Sequence, residues 1–117
     1  MAQHIDSGKL GEQLAEDYLR QRNYLILQRN WRHSHHEIDL IALKVGVLHF
    51  VEVKLRSSKH FGMPEENVTR KKFKFLTQAA EAYLAQHPEY KHIQFDILSI
   101  NVSGATKEFF FIEDVFL

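Results

Sequence analysis

The chain contains no cysteine, so a disulfide scaffold and a cysteine-based zinc site are both excluded. No segment approaches the roughly 18 consecutive apolar residues of a membrane span. Residues 1–13 also lack the apolar stretch of a signal peptide. We therefore expect a cytoplasmic protein with no membrane segment.

The sequence also lacks an excess of charge of either sign. The 15 Lys and Arg residues balance the 15 Asp and Glu residues, so the net charge is +0. Non-specific coating of nucleic acid is disfavoured, because such binding grows with the number of phosphates that the protein neutralises. A local basic patch is still compatible with this balance.

What is present is the material for one hydrophobic core. The chain has 117 residues, of which 44% are hydrophobic and 26% charged, as in ordinary globular proteins. This length suits one core and is short for two. We expect a single domain over residues 1–117.

Hydrophobic residues recur with the helical period in two segments. The first predicted helix covers residues 8–22, with Glu12 at the edge of its apolar face and Glu16 further round, outside that face. The second covers residues 70–86 and ends before Pro88.

Runs rich in β-branched and aromatic residues predict five strands. They lie at residues 24–32, 37–43, 47–56, 92–101 and 107–116. The order α-β-β-β-α-β-β predicts an α/β fold, with a mixed β-sheet flanked by helices in three layers. The helix between the third and fourth strands allows a crossover between parallel neighbours.

Four charged residues interrupt the second and third predicted strands. Side chains two positions apart on a strand share a face, so Glu37 lies with Asp39, and Glu52 with Lys54. A two-residue turn that contains Gly46 sets a register in which paired residue numbers sum to 91. That register puts Asp39 opposite Glu52, and Glu37 opposite Lys54.

Two carboxylates would then face each other across about 5 Å. Their repulsion favours either a raised pKa or a bound cation. Oxygen ligands without Cys or His suit Mg²⁺ or Mn²⁺. Lys54 lies beside the two acids, where it could hold a phosphate or a water. Two carboxylates, a cation and a lysine are together suited to nucleophilic displacement at phosphorus.

The alternative is a solvated face with two ion pairs, Glu37–Lys54 and Asp39–Lys44. Exposed pairs of this kind contribute little to stability. Alternating charge is common on the wet face of an antiparallel pair. Residue spacing alone leaves both interpretations open.

Longer motifs add a family resemblance. The segments "EIDLIAL" and "FVEVKLRSS" resemble the PD-(D/E)xK nuclease signature, although Ile38 stands where the superfamily name has Pro. With "GKLGEQLAEDYL", "YLILQRNWR" and "QFDIL", the chain resembles the YraN-like family of predicted endonucleases, which are similar to archaeal Holliday-junction resolvases. The resemblance spans about residues 8–98 and implies a restriction endonuclease-like three-layer core.

The same resemblance implies roles for individual residues. Asp39, Glu52 and the Val53 carbonyl would bind Mg²⁺ or Mn²⁺, and Lys54 would be the catalytic lysine. Glu12 matches the "GE" of the family and would approach the metal or its water. Glu37 is either a partner for Lys54 or an exposed strand residue.

A basic stretch follows the third strand. Between Lys54 and Lys74 seven basic and two acidic residues give a local charge of +5. Such a patch beside a site is typical of a DNA-backbone footprint. The candidate DNA-binding residues are Arg56, Lys59, Arg70, Lys71, Lys72 and Lys74. Lys72 falls within the apolar arc of its helix, where its stem could instead lie along apolar surface.

Two further patterns are a cluster of histidines and an aromatic final strand. His33, His35 and His36 are too close in sequence to converge easily on one ion, so a solvated turn is favoured over a zinc site. The aromatic final strand is core, or the interface of a homodimer.

The predicted function is hydrolysis of phosphodiester bonds by a metal-dependent DNA endonuclease, acting on structured or branched, Holliday-junction-like DNA. The alternative is a non-catalytic module of the same fold that binds nucleic acid or a protein partner.

Overall fold

The computed structural model describes residues 7–56 and 70–115, without the side chains of Ser7, Gly8 and Arg70. Within these ranges the predicted order α-β-β-β-α-β-β is confirmed. The helices are α1 (Ser7–Gln21) and α2 (Arg70–Gln86). The strands are β1 (Leu25–His33), β2 (His36–Lys44), β3 (Val47–Arg56), β4 (His92–Ser103) and β5 (Thr106–Ile112).

The five strands form one mixed sheet in the order β1-β2-β3-β4-β5. All neighbours are antiparallel except β3 and β4, which run parallel on either side of α2 in the chain. Neither helix of the described ranges has the length and apolar character to cross a bilayer.

The sheet is the middle of three layers. Successive residues of a strand point to opposite faces, and Phe50 and Val51 accordingly belong to two separate clusters. Val51 packs with Ala15 and Leu19 of α1, whereas Phe50 packs with Tyr83 of α2. The two helices therefore cover opposite faces of the sheet.

The hairpin between β2 and β3 has the predicted register. Its two-residue turn, Val45–Gly46, takes φ values of 48° and 78°, the positive pair that matches the twist of a hairpin. Pairing runs from Lys44–Val47 to Leu40–Val51, so paired residue numbers sum to 91. The β2–β3 ladder stops there, and the remaining residues of these two strands are not paired with each other.

The last two strands differ slightly from their predicted bounds. β4 continues to Ser103, because Ser103 pairs with Thr106 across the turn at Gly104. β5 ends at Ile112. The backbone N–H of Asp114 then donates to Asp96 Oδ1 at 2.9 Å, which turns the chain away from the regular ladder.

Candidate active site

The candidate site lies where β2 and β3 stop pairing. The Asp39 carboxylate reaches into the gap, and its Oδ2 accepts a hydrogen bond from the Val53 backbone N–H at 2.8 Å. The N–H and C=O of one residue in an antiparallel strand point toward the same neighbour. The Val53 carbonyl therefore faces the same gap as the Asp39 carboxylate.

Glu52 brings a second carboxyl group to Asp39. It is only 8% exposed, and its carboxyl group is close enough to Asp39 to shift the pKa of Asp39. Burial, followed by the neighbouring Glu52 carboxyl group, raises the pKa of Asp39 from 3.8 to about 8. The two acids thus lie close together, as predicted, although the β2–β3 ladder ends at Leu40–Val51, one pair short of them.

The ion pairs of the alternative interpretation are not the contacts that the structure shows. The Lys44 ammonium lies 4.7 Å from the ring centroid of Tyr24, in a cation–π contact. Glu37 accepts a 2.9 Å hydrogen bond from Arg32 Nε, because Arg32 and Glu37 are paired across β1 and β2. The predicted pairing of Glu37 with Lys54 is wrong, since the β2–β3 ladder ends before it reaches them.

Two lysines approach the acids. Lys72 Nζ of α2 lies 3.3 Å from Glu52 Oε2. The amines of Lys54 and Lys72 are close enough for each to shift the pKa of the other. Burial, and then the neighbouring amine of Lys72, lower the pKa of Lys54, although Glu52 and Asp39 act in the opposite direction. Lys72 therefore contacts the acidic centre formed by Asp39 and Glu52, and its place within the apolar arc of the helical wheel agrees with this inward direction.

A cleft opens on each side of the acids, and Glu37 and Asp39 line both. The α1 cleft, about 370 Å³, is also lined by Gly11, Glu12, Asn30, Val53, Lys54 and Leu55. The α2 cleft, about 270 Å³, is also lined by His35, His36, Glu52, Lys72, Phe75 and Leu76. The acids thus form a wall between two open spaces.

Glu12 is placed by a close approach of α1 to β3. Gly11 is buried, and a Cβ added there would lie 3.3 Å from the Cβ of Leu55, tighter than most contacts of this kind. Glycine therefore allows the first turns of α1 to come close to β3. Its neighbour Glu12 consequently lines the same cleft as Asp39 and Lys54.

Comparisons with known proteins identify the family. The model of the uncharacterised protein family UPF0102 matches residues 11–100. The chain belongs to UPF0102. It is 43% identical over 108 residues to a UPF0102 protein of Flavobacterium johnsoniae, covering 89% of this chain and 88% of the relative. It is 42% identical over 109 residues to one of Bacteroides fragilis, covering 93% and 88%. Membership confirms the YraN-like part of the resemblance.

The region shared with UPF0102 contains the acids, both lysines and Glu12. Another relative, a UPF0102 protein of Dictyoglomus thermophilum, is 43% identical over 101 residues, covering 86% of each chain. The family is described as uncharacterised. The function of the site must therefore be inferred from its chemistry.

The other candidate DNA-binding residues of this UPF0102 chain are spread along β3 and α2. Lys71 and Lys74 are exposed near the start of α2, and Arg56 is half-buried at the end of β3. Lys71 Nζ lies 5.9 Å from the ring centroid of Phe75. Lys59 and the side chain of Arg70 lie outside the described residues.

The histidines near the β1–β2 turn contact aromatic side chains. His33 stacks on Trp31, with ring centroids 6.1 Å apart, and His36 stacks on Phe75 at 4.9 Å. In the described part of the chain no three His, Cys, Asp or Glu side chains gather in a way that could hold a metal.

The acidic centre fits a hard divalent cation. The gap contains the Asp39 and Glu52 carboxyl groups and the Val53 carbonyl, all of them oxygen donors. Mg²⁺ is commonly held by one or two carboxylates and keeps several waters. Burial, and then the neighbouring Glu52 carboxyl group, raise the pKa of Asp39, and a bound cation would favour the charged form of both acids.

Sequence reasoning missed a buried acid on α1. Glu16 is 2% exposed, not outside the apolar face as predicted. Arg29 Nε of β1 lies 2.7 Å from Glu16 Oε2. Arg20 Nη2 lies 3.1 Å from Glu16 Oε1, without a well-aligned hydrogen bond. The helical wheel misplaced Glu16 because the partner that draws it inward lies on another element.

Asn30 was also missed. It lies between the paired residues Arg29 and Trp31 of β1, where the ladder has no partner for it, and has a φ of 48°. It lines the α1 cleft. Asparagine tolerates this left-handed conformation better than most residues, but an asparagine within a predicted strand gave no signal of a site.

Proposed function

We propose that the protein is a Mg²⁺- or Mn²⁺-dependent DNA endonuclease that acts on structured or branched DNA. The observation that supports this most strongly is the meeting of Asp39 and Glu52 beside Lys54 and Lys72. Two acids and two amines around one point match the needs of phosphodiester hydrolysis, where positioning and charge neutralisation dominate.

The chain's own residues would divide the work. The carboxyl groups of Asp39 and Glu52, with the Val53 carbonyl, would hold the cation. When bound, a divalent cation neutralises charge that develops on the phosphate and lowers the pKa of a coordinated water. The amine of Lys54 orients the attacking water, whose oxygen bonds to phosphorus as the P–O3′ bond breaks. The products carry a 5′-phosphate and a 3′-hydroxyl.

Two other residues would assist. Lys72 holds the Glu52 carboxylate in position through their 3.3 Å contact. Glu12 approaches the reacting centre from the α1 cleft, which it shares with Asp39 and Lys54. The lysines exposed on α2 would contact the DNA backbone, which positions DNA without reading its sequence.

Cleavage assays test this function. Purified protein with Mn²⁺ should cut branched DNA. Lys54→Ala and Asp39→Ala should each lower the rate by about 100-fold or more, since each removes a group at the reacting centre. Lys44→Ala is the matched control: it removes a lysine from the same hairpin, one that lies over Tyr24. Its rate should be unchanged. Undiminished cleavage in Asp39→Ala or Lys54→Ala would exclude the proposed mechanism.

The alternative is a module that binds DNA or a protein without cleaving. It predicts salt-sensitive DNA binding, no Mn²⁺ heat by calorimetry and no cleavage of any DNA form. The endonuclease hypothesis predicts that the protein binds Mn²⁺ and that Glu52→Gln abolishes this binding. The meeting of the two acids favours the enzyme, because a surface that binds only DNA gains nothing from acids aimed at the phosphate.

A further inference from the structure

The α2 cleft has a feature that phosphodiester hydrolysis does not require. One wall is a stacked aromatic pair, His36 on β2 and Phe75 on α2, with ring centroids 4.9 Å apart and planes 30° apart. Phe75 is 40% exposed, whereas Leu76, the next residue, is buried. An aromatic ring is thus presented to the cleft instead of to the core.

The surroundings of this wall are charged. Lys71 Nζ lies 5.9 Å from the ring centroid of Phe75. Lys72 lines the cleft and contacts Glu52. An aromatic face with cations beside it is the combination that binds single-stranded nucleic acid, in which a base stacks on the ring and the cations attract its phosphates.

The position of the cleft relates a bound base to the acids. Glu52 and Asp39 line the same cleft as the aromatic wall, and Asp39 also lines the α1 cleft. A nucleotide with its base in the α2 cleft would have its phosphate near the acids. The volume, about 270 Å³, is close to the lower end of the range for small-molecule sites, about 300 Å³.

We propose that the α2 cleft binds one unpaired nucleobase, stacked on the exposed ring of Phe75, so that the phosphate of that nucleotide lies at Asp39 and Glu52. This rests on the proposed endonuclease function and specifies its substrate class. Bases inside a duplex are stacked on their neighbours and cannot offer a face to a side chain. The substrate is then DNA with an unpaired nucleotide at the scissile position, in a bulge, a single strand or a branch point.

Binding measured without metal separates this proposal from catalysis. Wild-type protein in EDTA is titrated into two oligonucleotides of equal length, one with a single bulged 2-aminopurine and one with 2-aminopurine paired inside a duplex. Stacking lowers the emission of this base. We expect tighter binding to the bulged DNA and a fall in its emission when the protein is added.

Substitution of Phe75 tests the contact itself. Phe75→Leu keeps an apolar side chain next to Leu76 but removes the ring. It should bind bulged DNA about 10-fold more weakly, leave duplex binding unchanged and abolish the fall in emission. Phe75→Tyr should restore both the tight binding to bulged DNA and the fall in emission. Phe110→Leu is the matched control, because Phe110 on β5 is 41% exposed and does not line the α2 cleft.

Other outcomes overturn the proposal. Equal weakening of bulged and duplex DNA in Phe75→Leu would make Phe75 a general surface contact. Equal behaviour of Phe75→Leu and Phe110→Leu would remove the cleft from recognition. Either result would leave the endonuclease proposal intact if Asp39→Ala abolishes cleavage. Conversely, bulge-specific binding that depends on Phe75, in a protein that never cleaves, would refute only the catalytic function.

Discussion

Two aspartates of one sheet have opposite surroundings. Asp96 on β4 is buried and accepts three hydrogen bonds: from His49 Nδ1 at 2.6 Å, from Gln94 Nε2 at 2.9 Å and from the Asp114 N–H at 2.9 Å. Asp39 on β2 accepts one from the Val53 N–H and faces another carboxyl group.

The difference distinguishes an acid that the fold stabilises from the acid that we propose binds a cation. A buried carboxylate is tolerated when donors saturate its oxygens. The donors around Asp96 come from β3, β4 and the segment after β5, so Asp96 ties these parts of the fold together. The chain gives Asp39 fewer donors, and its pKa rises to about 8. Asp39 is therefore suited to an external cation.

The largest predicted effect concerns Asp96. Asp96→Ala leaves the His49 ring nitrogen and the Asp114 N–H without their acceptor, so we expect a loss of about 3–5 kcal/mol in the free energy of unfolding, measured with urea. Asp114→Asn is the control, because Asp114 contributes its backbone N–H, its side chain is exposed, and Asn tolerates the φ of 56° at this position as Asp does. A loss below about 1 kcal/mol in Asp96→Ala would show that the network is not structural.

Asp39→Asn should increase the free energy of unfolding, in contrast to Asp96→Ala, which should decrease it. The pKa of Asp39 in the folded protein, about 8, exceeds its ordinary value of 3.8. The folded state therefore binds the extra proton between these values, and wild-type stability falls as pH rises from about 4 to 8. Asn cannot ionise and avoids this loss. At pH 9 without metal, Asp39→Asn should be more stable by about 2 kcal/mol in urea unfolding.

A comparison at low pH completes the test of Asp39. At pH 4 most wild-type molecules carry the proton, so the stabilities of wild type and Asp39→Asn should converge. A constant difference between pH 4 and pH 9 would mean that Asp39 does not titrate in this range.

A bound divalent metal should offset the loss of stability that accompanies ionisation of Asp39 at high pH. We expect 1 mM Mn²⁺ to raise the free energy of unfolding of the wild type by about 1–2 kcal/mol at pH 8, and to leave Glu52→Gln unchanged. Asp96→Asn, which alters the saturated acid instead, should keep the response of the wild type if it folds. A shift of equal size in Glu52→Gln would place the cation elsewhere.

The smallest effect concerns the approach of α1 to the Asp39 end of the sheet. An alanine at Gly11 gains helix propensity but meets Leu55 Cβ at 3.3 Å, so stability should change by less than about 1 kcal/mol. Cleavage should nevertheless fall about 5-fold, because the shift of α1 moves Glu12. Gln13→Ala, an exposed change on the same helix, should cleave normally.

Local patterns predicted much of the fold. β3 and α2 have the predicted bounds, because a two-residue turn fixes one end of the strand and Pro88 follows the helix. The same turn set the register that brings Asp39 to Glu52. These features depend on residues near one another in sequence, where periodicity and turn chemistry are informative.

Contacts between distant elements were not predictable in this way. His49 and Asp96 are 47 residues apart and meet only because β3 and β4 are parallel neighbours. Glu16 is buried against Arg29, which lies on β1 and not on the same helix. A single sequence contains no signal for such contacts, so a residue that looks solvated on its own helix can be buried against another element.

The hairpin turn has a mechanical consequence. β2 and β3 are joined by the two-residue turn Val45–Gly46, and their pairing ends at Leu40–Val51. Asp39 on β2 and Glu52 on β3 are the next residues beyond that last pair. Because five residue pairs of the ladder connect the turn to the acids, the twist set at the turn is carried along both strands to Asp39 and Glu52. Substitutions at this exposed turn should therefore alter the spacing of the two acids, and with it the radius of the cation that we propose they bind.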